Sequence, residues 1–144
     1  MIYILCITLP LLGAFVAGFF GRLIGDRAAQ LVTCGAMIAS AVLAVPIFID
    51  VALDGHAQTL VLFTWFESGA FKASWALKFD TLSAVMVLTV SAVASAIHVY
   101  SGGYMAHDKS IPRLIAYLHL FTFFMLMLVT SANFMQLFSG WEGV

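Results

Sequence analysis

Four long stretches of this chain carry no charged side chain. Residues 1–21 run uncharged to Arg22, residues 28–49 lie between Arg27 and Asp50, and residues 81–106 and 114–141 follow. A helix rises 1.5 Å per residue and a hydrocarbon core is roughly 30 Å thick, so about 20 apolar residues span a bilayer. The last run, about 28 residues, is long for one crossing. It is interrupted by Thr130-Ser131-Ala132-Asn133, a group of turn formers and helix N-cap residues. The pattern predicts helices at about 2–21, 28–49, 81–105 and 113–130, with a fifth, incomplete one over 133–144.

Composition excludes the alternatives. Hydrophobic residues make up 63% of the 144 and charged residues 9%, whereas a soluble domain carries about a quarter charged. One aqueous core of this size could not hide so much apolar surface. A net charge of −1 offers no footprint for nucleic acid. Cys6 and Cys34 stand alone in apolar runs and read as small packing residues. The start has no Lys or Arg and its apolar run is longer than a secretory signal, so the first helix reads as retained. Gly21 and Gly25 have GxxxG spacing but straddle Arg22, which suits a helix end better than a dimerisation face. The expected fold is an all-α membrane protein: a polytopic bundle of four transmembrane helices plus a truncated fifth, with a small extracytoplasmic β-hairpin.

The hairpin is expected within the loop at 50–80. Residues 71–79 alternate apolar with polar or small residues, residues 59–66 are rich in β-branched and aromatic side chains, and Glu67-Ser68-Gly69 reads as the turn. Asp80 follows directly and is placed to cap the third helix. The short joints hold Arg22, Arg27, Lys109 and Arg113, against Lys72 and Lys78 in the long loop. The positive-inside rule then puts both joints in the cytoplasm, with the N-terminus and the 50–80 loop outside.

The residue that stands out is Glu142. Nine residues beyond Asn133, it falls roughly 13–14 Å into the fifth helix, near mid-bilayer. An ionised carboxylate there costs at least a few kcal/mol unless a base or internal water stabilises it, and an acid that gains and loses a proton at that depth suits a proton relay. An interfacial Glu on a helix with a different start is the plainer reading. Gly140 and Gly143 flank it and leave room for close helix approach. His98, about 27 Å along from Asp80, is expected at the inner surface beside Tyr100 and Tyr104, and His107 in solvent. His119, about 9 Å into the fourth helix, reads as a helix-packing hydrogen bonder first and part of a proton path second. Ser91 and Ser95 read as a helix-contact stripe. No Gly-rich phosphate loop, paired-cysteine cluster site, metal site or nucleophile–base set is present in the sequence, so no cofactor is expected on this chain.

The motifs then converge on one family. Tyr100-Ser101-Gly102-Gly103-Tyr104-Met105 with Asp108, Arg113 with Ala116-Tyr117, and Met127-Leu128-Val129-Thr130-Ser131-Ala132-Asn133 leading into Gly140-Trp141-Glu142-Gly143-Val144 resemble the L subunit of bacterial NADH-quinone oxidoreductase, respiratory complex I. Phe79-Asp80-Thr81-Leu82-Ser83 fits as well. The resemblance implies an antiporter-like, proton-translocating subunit of the membrane arm, coupled to NADH-to-quinone electron transfer in the respiratory chain. It implies no redox centre here; NADH, FMN, iron–sulfur clusters and quinone belong to the parent complex. It implies other membrane-arm subunits as partners, a multi-pass location in the bacterial inner membrane, Glu142 as the proton-handling acid and Asp80 as a supporting residue. The glutamate's partner lysine would lie beyond Val144, so the sequence reads as an N-terminal fragment, inactive alone. The alternative is the large subunit of a multi-subunit sodium/proton antiporter.

Overall fold

A computed structural model describes residues 1–104 and 107–144. Among the described residues four helices are long and apolar enough to cross a membrane: α1 (Ile2–Ile24), α2 (Asp26–Phe48), α3 (Thr81–Tyr104) and α4 (Ile111–Val129). The expected third helix is described through Tyr104; residues 105 and 106, including Met105 of the quoted motif, lie outside the described residues. A fifth helix, α5 (Phe134–Gly143), follows a short break. The strands β1 (Gln58–Ser68) and β2 (Phe71–Phe79) form an antiparallel hairpin between α2 and α3.

The helices run up and down. Gly25, at φ 93, makes the one-residue joint between α1 and α2, a backbone conformation open to glycine and costly for residues with a Cβ. At the other end of α2 the chain continues as a π-helical turn, Ile49–Leu53, three residues after Pro46. Asp54 N bonds Ile49 O at 3.1 Å, the i→i+5 pattern of that turn. The sequence reading ends this helix at residue 49 and misses the turn.

The exterior is as apolar as the core, unlike that of a soluble bundle. Leu23, Leu31 and Phe134 are 81%, 76% and 86% exposed, and such faces suit hydrocarbon rather than water. The helix contacts are built from small and hydroxyl residues, as expected where lipid supplies no hydrophobic drive. Ser40 Oγ donates to Cys6 O at 2.6 Å across α1 and α2. Ser95 Oγ donates to Met37 O at 3.0 Å across α2 and α3. On α1, the buried residues Gly13, Ala17 and Gly21 repeat every fourth position and receive α4. A Cβ on Gly21 would stand 2.6 Å from Pro112 Cβ. Gly21 is thus a helix-packing residue as well as a residue near the helix end, a role the sequence reading did not give it.

In the hairpin, the two-residue turn is Gly69-Ala70, one step later than expected, with Gly69 at φ 60. Glu67 belongs to β1 instead, paired opposite Lys72 with 3.8 Å between carboxylate and ammonium. Strand β1 is two residues longer than β2, and register shifts between Val61 and Phe63 and between Thr64 and Phe66 absorb the excess. Ala73, Ala76, Leu77 and Phe79 of β2 are buried, so β2 is the strand that seats the hairpin on the bundle. Phe79 packs edge-on against Tyr3 of α1, ring centroids 4.7 Å apart.

Candidate intramembrane site

The break before α5 is pinned to β2. Lys78 N donates to Thr130 O at 2.7 Å, Asn133 Nδ2 to Ser74 O at 2.6 Å, and Ala76 N to the Gln136 side-chain oxygen at 3.0 Å. Asn133 is the N-cap of α5, its side-chain oxygen accepting from Gln136 N at 2.9 Å. The first turn of α5 is therefore fixed to the hairpin by side chains the sequence places there.

From that anchor α5 runs back along α4. A Cβ on Gly140 would stand 3.0 Å from Leu128 N, and one on Gly143 would stand 2.3 Å from the Phe124 ring. These two glycines let the helices touch. Glu142, nine residues or roughly 13–14 Å past Asn133 along the helix, is exposed, as is the adjacent Trp141. Among the described residues its carboxylate has no hydrogen bond or ion pair to another side chain.

Asp80 lies at the hairpin end, where its Oδ1 accepts from Ser83 N at 2.8 Å and its main-chain oxygen from Ala84 N at 2.9 Å. The Ser83 N–H, first among its neighbours, holds the Asp80 carboxyl below the usual carboxylate range. It is a helix cap on the surface and does not meet Glu142's segment.

His119 is wholly buried, and its partner is His98 of α3: His98 Nε2 and His119 Nδ1 are 2.8 Å apart. His98 is 1% exposed, which corrects its expected place in an interfacial belt. Tyr100 and Tyr104 do form an exposed stacked pair nearby, but His98 points between the helices. His119 Nε2 reaches Thr33 O of α2 at 3.0 Å, and a Cβ on Gly13 of α1 would come within 2.3 Å of the His119 ring. Four helices thus meet at the two imidazoles. A readable signal existed. His98 lies six residues before the end of α3 and His119 eight after the start of α4, so an antiparallel pair brings them to similar depth.

The two membrane faces differ in charge. Arg22, Asp26, Lys109 and Arg113 line one cleft of about 660 Å³ between the ends of α1 and α4. At the opposite end Tyr3 donates to Asp50, and His56 Nδ1 bonds Asp50 at 2.9 Å. Asp50, Asp54 and His56 bring three ligand-type atoms within 4.8 Å of one another, a grouping the sequence reading did not single out.

Four apolar spans with an intramembrane polar interior define a polytopic membrane protein. A family model described as NADH-Ubiquinone oxidoreductase (complex I), chain 5 N-terminus, matches residues 65–115. NADH-ubiquinone oxidoreductase chain 5 of Arabidopsis thaliana is 47% identical over 142 residues, covering 99% of this chain and 21% of that protein. NADH-quinone oxidoreductase subunit L of Rickettsia conorii is 47% identical over 143 residues, covering 99% of this chain and 22% of that protein. Chain 5 of the sea anemone Metridium senile is 45% identical over 142 residues, with 99% and 24% covered. Over nearly its whole length the chain is similar to these chain 5 and subunit L proteins, and it spans about a fifth of the length of the relatives it matches.

Proposed function

We propose that residues 1–144 form the N-terminal part of one antiporter-like transmembrane domain in a proton-translocating membrane-arm subunit of NADH-quinone oxidoreductase. In this reading Glu142 is the intramembrane carboxylate that takes up and releases the proton, and electron transfer from NADH to quinone on other subunits drives it. The observation that carries the reading is Glu142's position in the last turn of α5, nine residues beyond the Asn133 cap, which is roughly mid-bilayer for a helix that starts at the membrane surface. A carboxylate at such a depth is a functional group by default. The family's names favour the oxidoreductase over the sodium/proton antiporter alternative.

Asp80 has a supporting part, fixing the start of α3, and His119 a part in the helix interior. Other membrane-arm subunits and the bilayer are the partners, and nucleic acid is not among them. The bases at the α1–α2 and α3–α4 joints support a cytoplasmic placement of that end, with the N-terminus and hairpin extracytoplasmic in a bacterial inner membrane.

The test is Glu142→Gln in the full-length gene, with NADH-driven proton uptake measured in inverted membrane vesicles. Proton uptake per NADH oxidised should fall while assembly of the complex is retained. Undiminished pumping would remove Glu142 from the proton path.

A further inference from the structure

Three backbone carbonyls converge on the His98–His119 pair, and a carbonyl can only accept a hydrogen bond. Ala94 O is 2.6 Å from His98 Nδ1, so that nitrogen must carry a proton. Ile115 O is 3.1 Å from His119 Nδ1, and Thr33 O is 3.0 Å from His119 Nε2. Both nitrogens of His119 therefore face acceptors. The fourth nitrogen, His98 Nε2, faces His119 Nδ1.

Two neutral imidazoles place two N–H protons on these four nitrogens. Every such placement leaves a lone pair against an oxygen or another lone pair, or sets two N–H groups head to head. The best of them protonates Nδ1 of both rings and leaves the bare His119 Nε2 against Thr33 O. A buried polar contact of that kind is costly because no water can replace the missing bond. A third proton, on His119 Nε2, gives every nitrogen a partner, with the single His119 Nδ1–H directed at His98 Nε2 and shared with Ile115 O. A fourth would drive two N–H groups and two positive charges together across 2.8 Å.

We propose that His98 and His119 form an intramembrane proton-binding dyad that takes up one proton, on His119 Nε2, while His98 stays neutral and accepts from His119 Nδ1. Ionisable groups on the helices around it are Tyr3, Cys6 and Arg22 on α1, Asp26, Arg27 and Cys34 on α2, Tyr100 and Tyr104 on α3, and Arg113 and Tyr117 on α4. Among the described residues none of them hydrogen-bonds either ring. The loaded dyad is held by carbonyl dipoles, one of the ways a membrane interior accommodates charge. His98 also lines a cavity of about 250 Å³ between α3 and α4, with Ala94 and Thr122 and otherwise mainly apolar side chains. The count rests on ring contacts alone, so it stands or falls separately from Glu142.

The experiment uses the 144-residue chain in lipid nanodiscs with ¹⁵N-labelled histidine, carrying His56→Gln and His107→Gln so that only the two buried rings report. At pH 5 the pair should show three protonated nitrogens and one bare one, and His119→Gln should remove the doubly protonated ring. Two bare nitrogens at pH 5, or a doubly protonated His98, would overturn the dyad. The unsubstituted chain supplies a second reading through the ¹⁵N–¹⁵N coupling across the shared hydrogen bond. Its persistence at pH 5 alongside three protonated nitrogens supports the assignment, and its absence at pH 5 rejects it.

Discussion

The His98 and His119 rings meet edge to face, their planes at 90° and their centroids 4.2 Å apart. This contact ties α3 to α4 between Gly13 of α1 and Thr33 of α2. The space for His119 exists because residue 13 has no side chain. Gly13→Ala would place a Cβ 2.3 Å from the His119 ring, forcing the ring or α1 to move, and overpacking of this sort costs about 1–3 kcal/mol. Gly35→Ala, with nothing within 4 Å among the described residues, is the control. Unfolding in mixed micelles followed by circular dichroism should show Gly13→Ala clearly destabilised and Gly35→Ala no less stable than the parent.

The Asp80 cap predicts both a mutational cost and an acid limb. Asp80→Ala should cost about 1 kcal/mol, as for other N-caps, and Asp80→Asn less because its amide oxygen still accepts. The folded-state carboxyl is lowered, chiefly by the Ser83 N–H. The stabilisation is therefore present above the unfolded value, about 3.9, and is lost as pH falls through the lower folded value. A pH series of unfolding curves should show that limb in the parent and lose it in Asp80→Asn.

At the hairpin end, the hydrogen bond to Asp50 raises His56 above its ordinary value. Any stability it contributes is then fully present below about pH 6.5 and fades as pH rises through the higher folded value. Both groups are reachable by solvent, so the effect on unfolding will be small. The titration itself is the better measurement. The His56 ring proton resonance should titrate above the ordinary imidazole range, and Asp50→Asn should bring it down.

Asn133 caps α5 and bonds Ser74 of β2 at once. Asn133→Ala removes both contacts, with a cost of about 1–2 kcal/mol expected from the cap and the lost cross-link together. Hydrogen exchange should speed up at Gln136 N and Leu137 N, while the middle of α1 stays protected. Equal protection in variant and parent would show that α5 holds itself in place.

Sequence reveals the elements of this fold more readily than the contacts among them. Spans are legible because a 30 Å apolar slab demands uncharged runs of fixed length, and Asp80 and Asn133 are legible because caps are local chemistry. Glu142's place on the fifth helix, nine residues past the Asn133 cap, follows from the same local chemistry. His98 was misplaced because counting rise from one helix end ignores the neighbour that determines which face is covered. Gly13, Ala17 and Gly21 went unnoticed as a stripe for the same reason: small residues are ordinary in any membrane helix, and only α4's arrival makes these three matter. The π-helical turn after Pro46 has no pattern distinct from an ordinary helix end.

Strand β2 holds the α4–α5 break by three hydrogen bonds, at Thr130, Asn133 and Gln136. In mechanical terms α5 is a lever clamped at its root, and the clamp is a sheet lying outside the helices. A tilt of α5 that moved Glu142 would load those bonds first. The hairpin is thus a ruler for the acid: alter its seating, with every residue of α5 intact, and the carboxylate changes its depth.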